Sequence, residues 1–134
     1  MNLVIDCSCI MSSILPDEKQ LKVDNIYNQM SNKVYNIFAS AIFYLECNNV
    51  LISSLKKQRI TRSDYEEYLY FLNTLPINID KFCSDSESLH IIARIATKYD
   101  LTSYDATYLE LALRLEAKIA TLDNSLSIAV RWQI

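Results

Sequence analysis

The 134-residue chain contains no glycine, although average usage is roughly 7% of residues. Every tight turn must therefore be made without the one residue that enters positive φ at no steric cost. That excludes architectures in which backbone comes close to a phosphate. A P-loop and a dinucleotide-binding turn both need glycines at fixed places, as does the nucleophile elbow of a serine hydrolase. Helix ends are predicted to close on polar residues instead, with Asn32 and Asn73 as candidates.

Within that limit, short apolar runs alternate with helical periodicity. Leu3-Val4-Ile5 predicts a buried strand ending at Asp6. A helix is expected from about Asp17 to Met30, a second strand at Ile37-Phe38-Ala39, and a helix capped by Ser40 that runs to about Lys57. Ser63-Asp64-Tyr65-Glu66 has capping-box spacing and opens a helix that closes before Pro76. A third strand covers Ile77 to Ile79. Ser84-Asp85-Ser86-Glu87 repeats the capping pattern ahead of an apolar stripe of Leu89, Ile92, Ile95 and Ala96. Ser103 starts a further helix, Asp105 to about Ala117, and Lys118 to Leu122 reads as a strand with Asp123 at its exit. Strand and helix in alternation indicate an α/β layer fold with a parallel sheet, in which functional groups gather beyond the carboxyl ends of the strands. Residues 1–134 have the length of one domain.

No apolar run approaches the roughly 20 residues that cross a bilayer, and Asp6 interrupts the first apolar run before it could serve as a signal peptide. A soluble, cytoplasmic protein without membrane attachment is expected. Cys7, Cys9, Cys47 and Cys83 form no CxxC pair and a single His is present, which excludes a zinc centre of the usual Cys/His kind and leaves reduced, structural thiols. A net charge of −3 argues against attachment to nucleic acid by bulk electrostatics. The local cluster Lys56, Lys57, Arg59 and Arg62 reads equally as a solvated helix end or a phosphate contact.

The residues that point to chemistry are acids. Asp6, Glu46, Asp105 and Asp123 each sit where an apolar segment reaches a polar boundary. Carboxylates brought into one pocket repel, and Mg²⁺ or Mn²⁺ is the natural compensating charge for an all-oxygen set. Each acid also has a plain structural reading. Asp6 could cap a turn, Asp105 suits the first turn of a helix, and Asp123 suits an N-cap ahead of Leu126. Glu46, among Ile42, Phe43, Leu45 and Val50, is the hardest to explain without a cation. Glu110 reads as an i,i+4 partner of Arg114, and His90 as a surface residue. Most of the nine tyrosines, among them Tyr65, Tyr68, Tyr99 and Tyr108, read as half-buried core or interface residues.

With these residues in place, the chain resembles the PIN-domain ribonucleases, and within them the small toxins of the VapC type. The resemblance spans essentially the whole chain. It rests on Val4-Ile5-Asp6-Cys7-Ser8, on Tyr44-Leu45-Glu46-Cys47-Asn48-Asn49-Val50-Leu51, on Ser103 to Ala112, and on Ile119-Ala120-Thr121-Leu122-Asp123. It implies a three-layer α/β/α sandwich around a parallel sheet, a Mg²⁺ or Mn²⁺ site, cleavage of single-stranded RNA, and a cognate antitoxin. It also implies that Asp6, Glu46, Asp105 and Asp123 are catalytic, with Asp6, Asp105 and Asp123 on the metal and Ser8, Asn49 and Thr121 in support. A homodimer is expected from the resemblance and from the apolar and aromatic excess at Ile26 to Met30 and Tyr65 to Leu72. Some members carry another acid just after the fourth, where Asn124 and Ser125 stand here, and a glycine before a short final strand, where this chain ends Ala129 to Ile134. A haloacid-dehalogenase-type phosphatase would need a second Asp at the position of Ser8, and a receiver domain an adjacent acidic pair that the chain lacks. The alternative outside enzymology is a module of the same fold that binds RNA or protein without cutting.

Overall fold

A computed structural model describes residues 1–15, 28, 32 and 34–130. Strand β1 (Asn2–Ile5) lies inside the sheet. Leu3, Val4 and Ile5 are completely buried, because a run without apolar–polar alternation has to be covered on both faces. β1 pairs in parallel with β2 (Asn36–Ala39), Val4 opposite Phe38, and on its other side with β4 (Lys118–Ala120), Val4 opposite Ile119. β3 (Ile77–Ile79) adds outside β2, giving an all-parallel sheet of order β3-β2-β1-β4.

Six helices flank it among the described residues: α1 (Cys7–Ile14), α2 (Phe43–Lys56), α3 (Arg62–Thr74), α4 (Ser86–Tyr99), α5 (Ser103–Leu115) and α6 (Asn124–Val130). Helix α2 packs on α1 and α3, while α5 packs on α4, α6, β1 and β4. This is the expected α/β/α arrangement. Phe43 and Leu51 of α2, Ile10 and Met11 of α1, and Leu111 of α5 meet the strand residues in one core. Burying side chains of this size stabilises by about 1.5–3 kcal/mol each.

The structure differs from the sequence reading where local chemistry overrides pattern. Helix α1 is only eight residues long and follows the buried strand after a single residue, with Cys7, Cys9, Ile10, Met11 and Ser12 buried, and the sequence reading does not place it. The helix expected from about Asp17 to Met30 lies outside the described residues, as does 131–134. Ser40 does not cap α2, which begins at Phe43; its hydroxyl donates to Thr107 Oγ1 at 2.7 Å. Helix α3 begins before Ser63, because Thr61 and Asp64 close a reciprocal capping box, each backbone N–H meeting the other's side-chain oxygen at 3.0 Å. In α4, capped by Asp85, Leu89 is 61% exposed, and Ser88 takes the inner place beside Ile92 and Ala96.

The missing glycines have a visible consequence. Helix α4 ends on Asp100 (φ 54°) and α5 on Glu116 (φ 51°), both in the left-handed region, and Gln58 after α2 has φ 60°. Such residues cost about 1–2 kcal/mol each relative to glycine. Asn73 is not a cap. It lies inside α3, whose C-cap Leu75 is extended, as the residue before Pro76 prefers to be. Asn32 donates its N–H to Asn28 O at 3.0 Å, but the helix it would end lies outside the described residues.

Candidate active site

The chain leaves β1 for β2 on one side and returns to β4 on the other, so the strand order reverses between β1 and β4. The crevice beyond the carboxyl ends of strands at such a point is where open α/β sheets bind ligands. Asp6 follows β1, its N–H reaching Ala120 O of β4 at 3.4 Å, and Asp123 lies just beyond β4. Glu46 comes from the first turn of α2 and Asp105 from the first turn of α5. These four acids, from four separate stretches of chain, line one open cleft of about 590 Å³. Ser8, Tyr108 and the apolar side chains of Met11, Val50 and Leu122 complete much of its wall, and no Lys, Arg or His among the described residues lines it.

Asp6 is the most rigidly held. It is 4% exposed, and its Oδ1 accepts from Ser8 Oγ at 2.7 Å and from Cys9 N at 3.1 Å. The first bond uses the adjacent turn and the second caps α1. Its Oδ2 accepts a short bond from Thr121 Oγ1. The two hydroxyls reach on: Leu122 N donates to Ser8 Oγ at 3.1 Å and Asp123 N to Thr121 Oγ1 at 2.9 Å. Ser8 and Thr121 therefore bind the exit of β1 to the exit of β4, which fixes Asp6 relative to Asp123. Asp123 also accepts from Leu126 N at 2.8 Å, so its capping of α6 and its place in the cleft coexist. Asp105 lies above Thr102, whose hydroxyl takes its N–H at 3.1 Å. Asn49 stands apart: it is exposed on α2 and outside the residues that line the cleft.

The electrostatics are those of uncompensated negative charge. Burial pushes the Asp6 carboxyl above its usual range, opposed by the bonds from Thr121, Ser8 and the Cys9 N–H, and Asp105 adds a further push. Glu46 is raised by burial, with Tyr108 opposing and Asp6 and Asp105 adding to it. Asp105 is raised by burial and by Asp123, with Thr102 opposing. Among the described residues, no three His, Cys, Asp or Glu side chains are drawn together as a ready ligand cage. An acid set spread along one cleft and offering only oxygen suits a hard cation that keeps part of its water shell, as Mg²⁺ does with one or two carboxylates. The thiols do not compete: all four cysteines are free, and burial beside Asp6 pushes Cys9 up to about 12.

The sequence profile of the PIN domain matches residues 3–130. The chain belongs to the PIN-domain family. Ribonuclease VapC3 of Pyrobaculum aerophilum is 26% identical over 131 residues, covering 95% of this chain and 93% of that protein. The crystal structure of PAE2754 from Pyrobaculum aerophilum superposes with a TM-score of 0.73 at 18% identity, over 100% of this chain and 88% of the other. That of FitAcB from Neisseria gonorrhoeae does so with a TM-score of 0.68 at 14% identity, over 98% and 94%. At these identities the two structures speak for the fold alone.

Within this PIN domain one cleft residue reads in the sequence as half-buried core or interface. Tyr108 is 1% exposed, yet its Oη donates to Glu46 Oε1 at 2.6 Å. Burial and that carboxylate hold its hydroxyl far above the usual phenol range, so it acts as a donor. Its spacing from Asp105, three residues along α5 and so on the same face, is the one signal that could have found it. Two other acids prove structural. Arg114 Nη2 bridges Glu110 Oε1 at 2.9 Å and Asp80 Oδ2 at 2.6 Å, pinning α5 to the segment after β3. His90 is exposed on α4. The basic cluster lies at the α2–α3 corner, at the opposite end of α2 from Glu46, about 15 Å away along the helix axis. No helix among the described residues is long and apolar enough to cross a membrane.

Proposed function

We propose that this PIN domain is an endoribonuclease that hydrolyses phosphodiester bonds of single-stranded RNA with Mg²⁺ or Mn²⁺, and that it acts in the cytoplasm as the toxin of a toxin–antitoxin pair. The observation that carries the reading is the convergence of Asp6, Glu46, Asp105 and Asp123 on one cleft whose described lining holds no basic side chain. A divalent cation bound there would supply the charge compensation, the activated water and the stabilisation of phosphoryl oxygens that phosphodiester hydrolysis requires.

The residues divide that work. Asp6, Asp105 and Asp123 would hold the cation, directly or through water. Asp6 suits the part of fixed anchor, since three donors already determine where its two oxygens point. Glu46 enters from the other side on α2 and would orient the attacking water or complete the shell. Ser8 and Thr121 keep the acids in register, and the apolar wall of Met11, Val50 and Leu122 limits bulk water at the reacting phosphate.

Purified protein with Mn²⁺ is expected to cut single-stranded RNA and to stop on addition of chelator. Binding of RNA without cleavage under those conditions would favour the alternative, a PIN-fold module that binds RNA or protein. Kinship with VapC-type toxins supports a homodimer and inhibition by a cognate antitoxin. A monomeric mass in light scattering at micromolar concentration contradicts the first, and undiminished cleavage by the purified complex contradicts the second.

A further inference from the structure

We propose that Tyr108 is the positioning residue of Glu46, holding that carboxylate across the cleft in the orientation the reaction needs; this rests on the nuclease reading above. Asp105 and Tyr108 leave the same face of α5 one turn apart, and Glu46 leaves the first turn of α2, 62 positions away in sequence. One hydroxyl therefore ties together the two helices that deliver Asp105 and Glu46. The 2.6 Å separation is that of a charge-assisted O–H···O⁻ bond.

Such a tie has work to do here. A glutamate side chain loses up to about 2 kcal/mol of rotamer freedom when it is ordered. Glu46 is only half-buried, and both Asp6 and Asp105 act on it as like charges. Left alone, it would swing toward solvent. A lysine or arginine could hold it, but would cancel charge that the site reserves for a cation. A tyrosine hydroxyl orients the carboxylate through Oε1 and adds no charge, leaving Oε2 without a hydrogen-bond donor among the described residues and so available to an ion or a water. The bond also differs from ordinary satisfaction of a buried tyrosine, because the acceptor is a side chain of the cleft and not a backbone carbonyl of the core.

Tyr108→Phe keeps the ring and removes only the hydroxyl. In steady-state cleavage of RNA with saturating Mn²⁺, kcat is expected to fall roughly 10–100-fold, with KM changed by no more than about twofold. In a Glu46→Gln background the same substitution should cost nothing further, since a residue acting through Glu46 loses its effect with it. A folded Tyr108→Phe protein with wild-type kcat, or a loss that multiplies fully with that of Glu46→Gln, overturns the proposal. A second readout needs neither turnover nor a variant that folds. In the wild-type protein the Tyr108 hydroxyl proton should be visible by NMR, shifted downfield and slow to exchange with water, and a rapidly exchanging hydroxyl overturns the proposal whatever the activity. Absence of cleavage by the wild type alongside a protected hydroxyl would sink the nuclease reading and leave the Tyr108–Glu46 tie standing.

Discussion

Asp6→Asn is expected to lower RNA cleavage by at least about 10³-fold while leaving the protein folded, because on the proposed mechanism several kcal/mol of transition-state charge stabilisation would depend on an ion held by this carboxylate, and each 1.36 kcal/mol is tenfold in rate. The fold should survive for a reason visible in the bonds. Ser8 Oγ and Cys9 N both donate to Oδ1, which asparagine retains. Thr121, which donates to Oδ2, can rotate its hydroxyl to accept from the new amide while still receiving the Asp123 N–H. Asp6→Ala is a different experiment. It strands three buried or half-buried donors, and an unsatisfied buried group costs about 1–3 kcal/mol, so loss of activity there would be confounded by loss of structure. Thermal unfolding of Asp6→Asn beside wild type, together with its cleavage rate, checks both halves. A folded variant that retains more than about a tenth of wild-type activity would contradict the role given to Asp6.

The second large effect is on stability. In the metal-free protein Asp6, Glu46 and Asp105 all have carboxyl groups raised above their usual values by burial, with neighbouring acids adding to each. A raised carboxyl binds its proton more tightly folded than unfolded. These groups therefore weaken the fold fully above their folded values, and the penalty disappears as pH falls through those values to the ordinary 3.8 of Asp and 4.5 of Glu. Groups such as Asp85, lowered by its bonds to Ser88, contribute with the opposite sign, so the difference between wild type and Asp6→Asn, not the raw curve, isolates the cleft. Mn²⁺ should act where the protons have left. At about a hundredfold excess over Kd it stabilises by about 2.7 kcal/mol, which for a chain of this size raises Tm by roughly 10 °C. The increment should be full near neutral pH, shrink on acidification as protons displace the ion, and be absent in Asp6→Asn. A Tm increment that is independent of pH, or equal in the variant, would place the ion elsewhere.

Much of this was readable in the sequence because strands in a parallel sheet are buried on both faces. Leu3-Val4-Ile5 and Ile119-Ala120 are continuous apolar runs, and an acid just past such a run has to face a boundary. Ile77–Ile79 falls where its pattern places it. Helix α1 was not legible, because at eight mostly apolar residues it is too short a run for helix and strand to be told apart by periodicity. The start of α3 was ambiguous in kind. Thr61/Asp64 and Ser63/Glu66 are overlapping capping boxes two residues apart, and the structure closes the earlier one. Asn49 neighbours Val50, which lines the cleft, and is itself exposed on the helix. Tyr108 shows the limit of periodicity, since hydropathy reads its ring, while the part that matters is one oxygen whose partner lies on a different helix.

The most direct test of the central claim is a crystal of the protein soaked in Mn²⁺ and measured at the manganese absorption edge. An anomalous peak in the cleft within coordinating or water-bridged distance of Asp6, Asp105 and Asp123 is the expected result. A fully occupied manganese site elsewhere on the molecule, or a cleft that stays free of manganese at concentrations supporting cleavage, would contradict it.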